Sequence, residues 1–341
     1  MSKRTATILG TGLLGASVGL ALRSQGWSVS GWDPDRDALE EAVDRGAIET
    51  PLSRAEAARS ELTVLAAPPE AVVETLRAMD TTSLVTDIAG VKQPIIAAAE
   101  HLTHFVGGHP MAGGETSGPS LATSSLFHGA TWVLTSDGTE ERDLWTMDDI
   151  VTSLGANPVV MTAAEHDAAV ARVSHLPHLL AAALMSLATD DSTTLGLAGG
   201  GFRDLTRIAA GDSRWWAEVL EANAGHVGAS IDELREALLL WKQMLKSGES
   251  DLARMLESAR KARIGLGEHN TPVRVVLLDR PGEIARVGHA LERSRVDVRD
   301  FQLRHGEHGG GGILTISVRA EGKDALTMAL IDEGFEVRAD V

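Results

Sequence analysis

Histidine is the side chain best suited to move a proton near neutral pH, and His109 lies in an unusual stretch of this chain. It belongs to the run GGHPMAGGETSG, residues 107–118, which begins at the end of a predicted strand, residues 104–108. Ligands of open parallel sheets bind beyond the carboxyl ends of the strands, and the flanking glycines leave room for a bound ring. We therefore predict that His109 takes part in proton transfer. The alternative is a histidine that only bonds the backbone of a turn.

A second pair of histidines lies in the sequence SHLPH, residues 174–178, within a predicted helix. His175 and His178 share one face of that helix because they are three residues apart. Pro177 is predicted to bend the helix and to free a backbone carbonyl. Metal binding is an alternative, but the sequence offers no obvious third ligand. We therefore predict no metal and expect hydrogen-bonded interior histidines.

An arginine completes the third group of residues, the run GGGFRDLTR at residues 199–207. The planar guanidinium of Arg207 can hold a carboxylate through two parallel hydrogen bonds. The alternative is an ion pair on a helix surface with Asp204 or Asp212. The sequence leaves both readings open, and the first predicts a small anionic substrate.

A glycine-rich turn near the start of the chain predicts a dinucleotide site. It fits the pattern GxGxxG and consists of Gly10, Thr11, Gly12, Leu13, Leu14 and Gly15. The pattern allows a tight turn, close approach of the pyrophosphate and close packing of the following helix, whose N-terminus attracts phosphate. Asp33 follows at about the expected 20 residues and ends a second strand. A carboxylate there binds ribose hydroxyls and repels a 2′-phosphate, so NAD is the predicted cofactor, although nearby Arg36 could soften the preference.

Strands and helices that alternate over residues 1–161 must position these groups. Buried strands are predicted at residues 5–10, 28–32, 61–67, 83–89 and 104–108. Helices are predicted between them at residues 13–25, 35–45, 70–79 and 91–102, and a further helix is predicted near residues 140–154. Such alternation is typical of parallel βαβ units. We predict an α/β, Rossmann-type doubly wound sheet for residues 1–161, with further strands at 129–135 and 157–161 that continue the pattern.

The character of the sequence changes after residue 161. Residues 162–266 show no clear strand and are predicted to form an all-helical domain that binds substrate and forms a homodimer through its apolar faces. A linker is predicted at 266–271. Residues 271–341 are predicted to form an α+β unit of βαββαβ order.

Composition limits the class of protein. The chain has 341 residues, a net charge of −17 and no Cys. The negative charge disfavours nucleic acids and anionic membranes as partners. Glycines interrupt the apolar run at residues 7–22, which argues against a signal peptide, and we expect no membrane span. A cytoplasmic protein is therefore expected.

These motifs together resemble a known family. GTGLLG, GHPMAGGETSG, SHLPH and GGGFRDLTRIAAGD are similar to the motifs of prephenate dehydrogenases and the related arogenate dehydrogenases of tyrosine biosynthesis. The resemblance covers essentially the whole chain. The segment DRPGE at residues 279–283 resembles an ACT domain, a regulatory module that binds amino acids. The resemblance therefore implies an ACT-like C-terminal domain with an effector such as tyrosine.

The resemblance also implies a role for individual residues. His109 resembles the catalytic histidine that bonds the ring 4-hydroxyl and assists its loss of a proton, and Arg207 resembles the arginine that binds a substrate carboxylate. Further matches to the family's pocket are His175 of SHLPH, Trp216, the acidic residues Glu115 and Asp167, and Asp87 on the cofactor side.

One departure from the family pattern concerns residue 90. Family members often carry a serine in the motif that reads TDIAGVK here, residues 86–92, and Gly90 takes its place. The implied activity is NAD-dependent oxidative decarboxylation of prephenate to 4-hydroxyphenylpyruvate. The alternatives are an arogenate dehydrogenase that forms tyrosine directly and a sensor that binds NAD or an amino acid without catalysis.

Overall fold

The protein is described by a computed structural model. The structure describes residues 3–53, 60–113, 118–189, 192–247, 249–265, 270–278, 280–305 and 312–338. The chain divides into two compact units, Met1–Glu236 and Ala237–Val341. The domain boundaries expected from the sequence remain predictions.

A six-stranded parallel sheet forms the centre of the first unit. Its strands are β1 (Thr5–Leu9), β2 (Ser28–Trp32), β3 (Thr50–Pro51), β4 (Leu62–Leu65), β5 (Leu84–Asp87) and β6 (Phe105–Val106). They lie in the order β3-β2-β1-β4-β5-β6, which is the order of a doubly wound nucleotide-binding sheet. The predicted Rossmann-type sheet is confirmed, and its topological switch point falls between β1 and β4.

Helices cover the sheet because its strands are apolar on both faces. Successive residues of a strand point to opposite faces, so Ala6 and Ile8 of β1 enter one buried cluster while Leu9 enters another. The helices of this region are α1 (Leu13–Ser24), α2 (Arg36–Asp44), α3 (Pro69–Ala78), α4 (Gln93–Ala99) and α5 (Glu141–Ser153). Each lies within a few residues of its predicted position.

A separate three-stranded sheet corrects the prediction for residues 104–161. Its strands are β7 (Gly108–Pro110), β8 (Thr131–Thr135) and β9 (Asn157–Met161), and β7 runs antiparallel to β8. The chain changes sheets at Gly107, whose N–H donates to Thr135 Oγ1 at 3.0 Å and whose carbonyl accepts from Thr135 N at 2.8 Å. The single strand predicted at 104–108 is therefore two short strands, and His109 lies in the second sheet instead of a turn.

Helices make up the described residues between 162 and 265, as predicted. They are α6 (Ala163–Val170), α7 (Leu176–Thr189), α8 (Ser192–Gly196), α9 (Gly200–Thr206), α10 (Ser213–Ala222), α11 (Ala224–Ser247) and α12 (Glu249–Gly265). A π-helical segment, Ala171–His175, joins α6 to α7 just before Pro177, which fits the predicted disturbance because proline cannot donate to the preceding turn.

The continuous helical run Ala163–Thr189 is long and apolar enough to cross a membrane by length and composition alone. Its most apolar window has a mean hydropathy of 1.3 and is 28% buried. An apolar helix at a subunit interface meets the same criterion, so this observation does not establish a membrane span.

Within the second unit, the described residues between 270 and 338 form a four-stranded antiparallel sheet with two helices. The elements follow as β10 (Asn270–Leu277), α13 (Glu283–Ser294), β11 (Val298–His305), β12 (Gly312–Arg319), α14 (Lys323–Asp332) and β13 (Glu336–Arg338). The βαββαβ order agrees with the prediction, and the sheet order is β11-β12-β10-β13. Of the predicted linker, residues 266–269 lie outside the described residues, and β10 already begins at Asn270.

Candidate active site

The glycine-rich turn joins β1 to α1 at the switch point of the sheet. Gly10 has a φ of +100°, and a Cβ there would lie 2.1 Å from the carbonyl oxygen of Ala66. A Cβ on Gly15 would lie 1.9 Å from the carbonyl oxygen of Gly10. Both positions therefore require glycine, because side chains cannot enter these contacts. Leu13 and Leu14 form the first turn of α1.

Asp33 follows β2, and its carboxylate is hydrogen-bonded to the glycine-rich turn. Its Oδ2 accepts hydrogen bonds from the backbone N–H of Thr11 at 2.5 Å and from Thr11 Oγ1 at 3.1 Å. Its Oδ1 accepts from the N–H of Asp35 at 2.9 Å. The carboxylate is thus held beside the turn, at the position predicted for contact with a ribose.

This turn fits a dinucleotide. Gly12 is the N-cap of α1, and no atom lies within 4 Å of the place where its Cβ would be. Open space therefore lies directly beside the helix N-terminus, where backbone N–H groups attract phosphate. When bound, NAD would supply the hydride acceptor, and Asp33 would hold its ribose.

His109 lies in β7, and its side chain is partly buried. Its Nδ1 is 2.8 Å from His166 Nε2, and the two rings meet edge to face. Burial, followed by the nearby charges of His166, Lys92 and His175, holds the pKa of His109 well below its ordinary value of 6.5. The imidazole is therefore neutral at pH 7 and can accept a proton.

Asp87, which is predicted to contact the cofactor, hydrogen-bonds groups around His109. It is fully buried at the end of β5, and its oxygens accept from the N–H of Ala89 at 2.9 Å, the N–H of Gly108 at 3.2 Å and the ammonium of Lys92. Burial raises the pKa of Asp87 and lowers that of Lys92, while their contact opposes both shifts. These bonds tie the end of β5 to Gly108, the residue before His109, and contact of Asp87 with the cofactor stays a prediction.

A buried network connects His109 to the helical region. Asp167 Oδ1 is 2.7 Å from His166 Nδ1, and the carboxylate also accepts from the backbone N–H of Lys92 at 2.7 Å and of Gln93 at 2.8 Å. Asn223 Nδ2 donates to the carbonyl of Asp167 at 2.8 Å and is 3.2 Å from His175 Nδ1. Burial lowers the pKa of His175 to about 4, although the nearby Asp167 opposes the shift.

Trp216 contacts both histidines of SHLPH. It stacks on His178 with ring centroids 3.8 Å apart and meets His175 edge to face at 6.2 Å. The buried Nδ1 of His178 has no hydrogen-bond partner among the described residues, so this histidine is a stronger candidate for a substrate contact than the sequence indicated. Burial lowers its pKa.

The neighbours of these two histidines are thus the indole of Trp216 and the amide of Asn223. Among the described residues, side chains with the spacing of a metal site occur together only at His104, Glu140 and Asp143. That group lies at the opposite, amino-terminal end of the strands, beside Thr5 and Leu84.

Arg207 opens a short 3-10 segment, Arg207–Ala210, which packs against α7, the helix that carries His178. Gly211 follows this segment as its C-cap, and a Cβ there would lie 2.8 Å from Trp216 Nε1. Arg207 itself is exposed. Glu115, the other predicted substrate contact, lies outside the described residues.

Three residues of the network were not singled out from the sequence: His166, Lys92 and Asn223. His166 directly precedes Asp167, which the sequence analysis names as an acidic pocket residue. Lys92 ends the TDIAGVK motif, which also contains Asp87 and Gly90. A titratable pair followed by SHLPH on the same helical run is the signal that could have identified His166. Asn223 carries no such signal, because only the folding of the chain brings its side chain to Asp167 and His175.

Family models match most of the chain. The nucleotide-binding domain of prephenate dehydrogenase matches residues 18–160, and the dimerization domain of prephenate dehydrogenase matches residues 162–258. The two models meet at the boundary between the sheets and the helices.

Individual relatives agree with the family models. A probable prephenate dehydrogenase of Streptomyces niveus is 32% identical, with 92% of this chain and 94% of the relative covered. Among solved structures, prephenate dehydrogenase from A. aeolicus in complex with hydroxyphenyl propionate and NAD+ is 28% identical and has a TM-score of 0.74. The match covers 78% of this chain and 99% of the A. aeolicus chain. Arogenate dehydrogenase of Synechocystis has a TM-score of 0.68 at 27% identity, covering 77% and 99%. The chain therefore belongs to the prephenate dehydrogenase family of NAD-dependent oxidoreductases.

Proposed function

We propose that the protein converts prephenate and NAD+ to 4-hydroxyphenylpyruvate, carbon dioxide and NADH. The observation that carries this proposal is the neutral, partly buried imidazole of His109 next to the end of β5. The nucleotide turn follows β1 of the same parallel sheet. The carboxyl ends of parallel strands share one edge, so substrate and nicotinamide can meet there.

His109 would act as the general base of this reaction. Prephenate carries a ring carboxylate, a ring 4-hydroxyl and a pyruvyl side chain. The hydride leaves the carbon that bears the hydroxyl, and His109 accepts the hydroxyl proton as the carbonyl forms. Loss of carbon dioxide then gives the aromatic ring, which makes the reaction effectively irreversible. A base in this position contributes about 10²–10⁴ in rate.

The remaining side chains would hold the substrate. Arg207 offers a planar cation for a carboxylate. His178 offers an unpartnered ring nitrogen, and Trp216 fixes that ring by stacking on it. We propose substrate roles for His175 and Glu115 from the family resemblance alone.

The decisive assay measures NADH formation with prephenate and with arogenate. We expect a higher kcat/KM for prephenate and accumulation of 4-hydroxyphenylpyruvate. His109→Asn is expected to lower kcat by about 10²–10⁴ without loss of NAD affinity. His101→Gln is a matched control, because His101 is exposed and bonds only the carbonyl of Met79 among the described residues. A preference for arogenate would make the protein an arogenate dehydrogenase, and no turnover of either would leave a binding role.

The helical region is proposed to form a homodimer. The family's dimerization domain matches residues 162–258, and the run Ala163–Thr189 has exposed apolar side chains such as Leu180 and Leu187. Leu187→Glu is expected to shift the molar mass measured by light scattering from that of a dimer toward that of a monomer. We also propose that the protein is located in the cytoplasm.

Residues 271–341, within the second unit, are proposed to form an ACT-like domain that binds an amino-acid effector. Support comes from its βαββαβ order and from Gly282, which adopts a left-handed conformation as the N-cap of α13. Calorimetry on the full chain should detect binding of tyrosine, with alanine as the control ligand. Equal heats for both amino acids would leave only a structural role.

A further inference from the structure

We propose that His166 is a positioning residue that fixes the tautomer of His109 and takes over the proton which His109 accepts; this inference rests on the proposed function. Three side chains form a continuous line of short contacts. His109 Nδ1 lies 2.8 Å from His166 Nε2, and His166 Nδ1 lies 2.7 Å from Asp167 Oδ1. His166 and Asp167 are each only 1% exposed, so the line is shielded from water.

Asp167 sets the direction of the hydrogen bonds. Its carboxylate accepts from two backbone N–H groups, those of Lys92 and Gln93, and an ionised carboxylate can only accept. His166 Nδ1 must therefore carry the proton that faces Asp167. In neutral His166 the other ring nitrogen is then an acceptor.

His109 must consequently donate from Nδ1 to His166. A neutral imidazole carries one ring proton, so Nε2 of His109 is left with its lone pair. This nitrogen is also the one that faces the gap beside Gly90, since a Cβ on Gly90 would lie 3.8 Å from it. The network therefore presents the basic nitrogen of His109 to the side on which a substrate hydroxyl can approach.

The same line can move the charge that catalysis creates. The proton from the substrate hydroxyl bonds to His109 Nε2. The Nδ1–H bond of His109 then breaks, and that proton bonds to His166 Nε2. The positive charge now lies on His166, next to the carboxylate of Asp167. No electrons are exchanged along this line, because the hydride leaves for the nicotinamide.

The surrounding charges favour this transfer. The groups that face the two imidazoles are Lys92 from the segment before α4, His175 from the π-helical segment and Asp167 from α6. Lys92 disfavours a cation on His109, whereas His175, with its pKa of about 4, is neutral at pH 7 and adds no charge. Of the two imidazoles, only that of His166 contacts the carboxylate of Asp167. A positive charge is therefore more stable on His166 than on His109.

Two substitutions separate positioning from proton transfer. The amide oxygen of Gln at residue 166 can accept from His109 Nδ1 and can keep its tautomer, but it cannot carry the proton. His166→Gln should lower kcat about tenfold and change KM by less than threefold. His166→Leu removes both functions and should lower kcat about 10²-fold. His101→Gln, at an exposed histidine outside the site, should leave both constants unchanged.

The pH profile distinguishes this role from a merely structural one. Because His166 lowers the pKa of His109, its removal in His166→Leu should raise that pKa and move the acidic limb of kcat/KM to higher pH. Unchanged NAD affinity and melting temperature establish that the variant folds, and His166→Gln provides the test if His166→Leu does not fold. A kcat and a pH profile equal to those of the wild type in both variants would overturn the inference.

Nuclear magnetic resonance of ¹⁵N-histidine in the full-length protein tests the tautomer without any turnover. We expect His109 to be protonated at Nδ1 in the wild type and to lose this preference in His166→Leu. This result together with no turnover of prephenate would refute the proposed function and keep the positioning role. Protonation of wild-type His109 at Nε2 would refute the positioning role, whatever the activity.

Discussion

Substitution by alanine is expected to have different effects on stability at two glycines of the nucleotide turn, Gly12 and Gly15. Gly12→Ala places a methyl group in open space, because nothing lies within 4 Å of the new Cβ. Its backbone has a φ of −63°, which alanine adopts freely. The expected loss of stability is below about 1 kcal/mol, the scale of a less favourable N-cap residue.

Gly15→Ala instead places its Cβ 1.9 Å from the carbonyl oxygen of Gly10 and 2.9 Å from Ala66 Cβ. The turn and α1 must move apart, and overpacking of this kind costs about 1–3 kcal/mol. For a unit of this size, the cost corresponds to a fall in melting temperature of roughly 2–12 °C.

Calorimetric titration with NAD+ and thermal unfolding without nucleotide separate the two effects. Gly12→Ala should weaken NAD+ binding at least tenfold, about 1.4 kcal/mol, because its methyl group occupies the expected place of the pyrophosphate. Gly15→Ala should lower both affinity and melting temperature. Wild-type affinity in Gly12→Ala would refute the location of the cofactor, and a wild-type melting temperature in Gly15→Ala would refute the packing argument.

Three further substitutions test cofactor choice, substrate binding and pH dependence. Asp33→Ser removes the carboxylate that repels a 2′-phosphate, so the ratio of kcat/KM for NADP+ to that for NAD+ should rise; an unchanged ratio would contradict the role of Asp33. Arg207→Ala should raise the KM for prephenate by roughly 5- to 150-fold, equivalent to about 1–3 kcal/mol, and a wild-type KM would place the carboxylate elsewhere. Burial lowers the pKa of His175 to about 4 in the folded protein, so protons bind preferentially to the unfolded chain between about pH 6.5 and 4. Chemical denaturation should therefore show stability that is complete above this range and declines as the pH falls through it, with a smaller decline in His175→Gln; equal declines would exclude His175 as a source.

The regular part of the fold could be predicted because hydrophobic periodicity and turn glycines are local signals. The strand predicted at residues 28–32 is observed at Ser28–Trp32, and the helix predicted at 13–25 is observed at Leu13–Ser24. The change of sheet at Gly107 could not be predicted. It depends on hydrogen bonds to Thr135, 28 residues away, and a short apolar run reads the same in either sheet.

The candidate site was predictable to a smaller extent. Motifs identified His109 and the glycine turn because their chemistry is carried by residue type and spacing. The buried contact of Asp87 with Lys92 was missed because packing decides burial, and burial is not visible in the sequence. The partner of His109 was missed for the same reason: His166 is 57 residues away and arrives by the packing of α6.

The glycine at residue 90 has a structural explanation in the network behind His109. A serine hydroxyl at this position would lie on the Nε2 side of the imidazole, since a Cβ there is already 3.8 Å from Nε2. The other ring nitrogen of His109, Nδ1, contacts His166. The backbone N–H of Gly108, the residue before His109, donates to Asp87. Ring and backbone are thus fixed from behind by buried groups. Orientation of His109 therefore does not require a hydroxyl at residue 90, and the space beside Nε2 is left for the substrate.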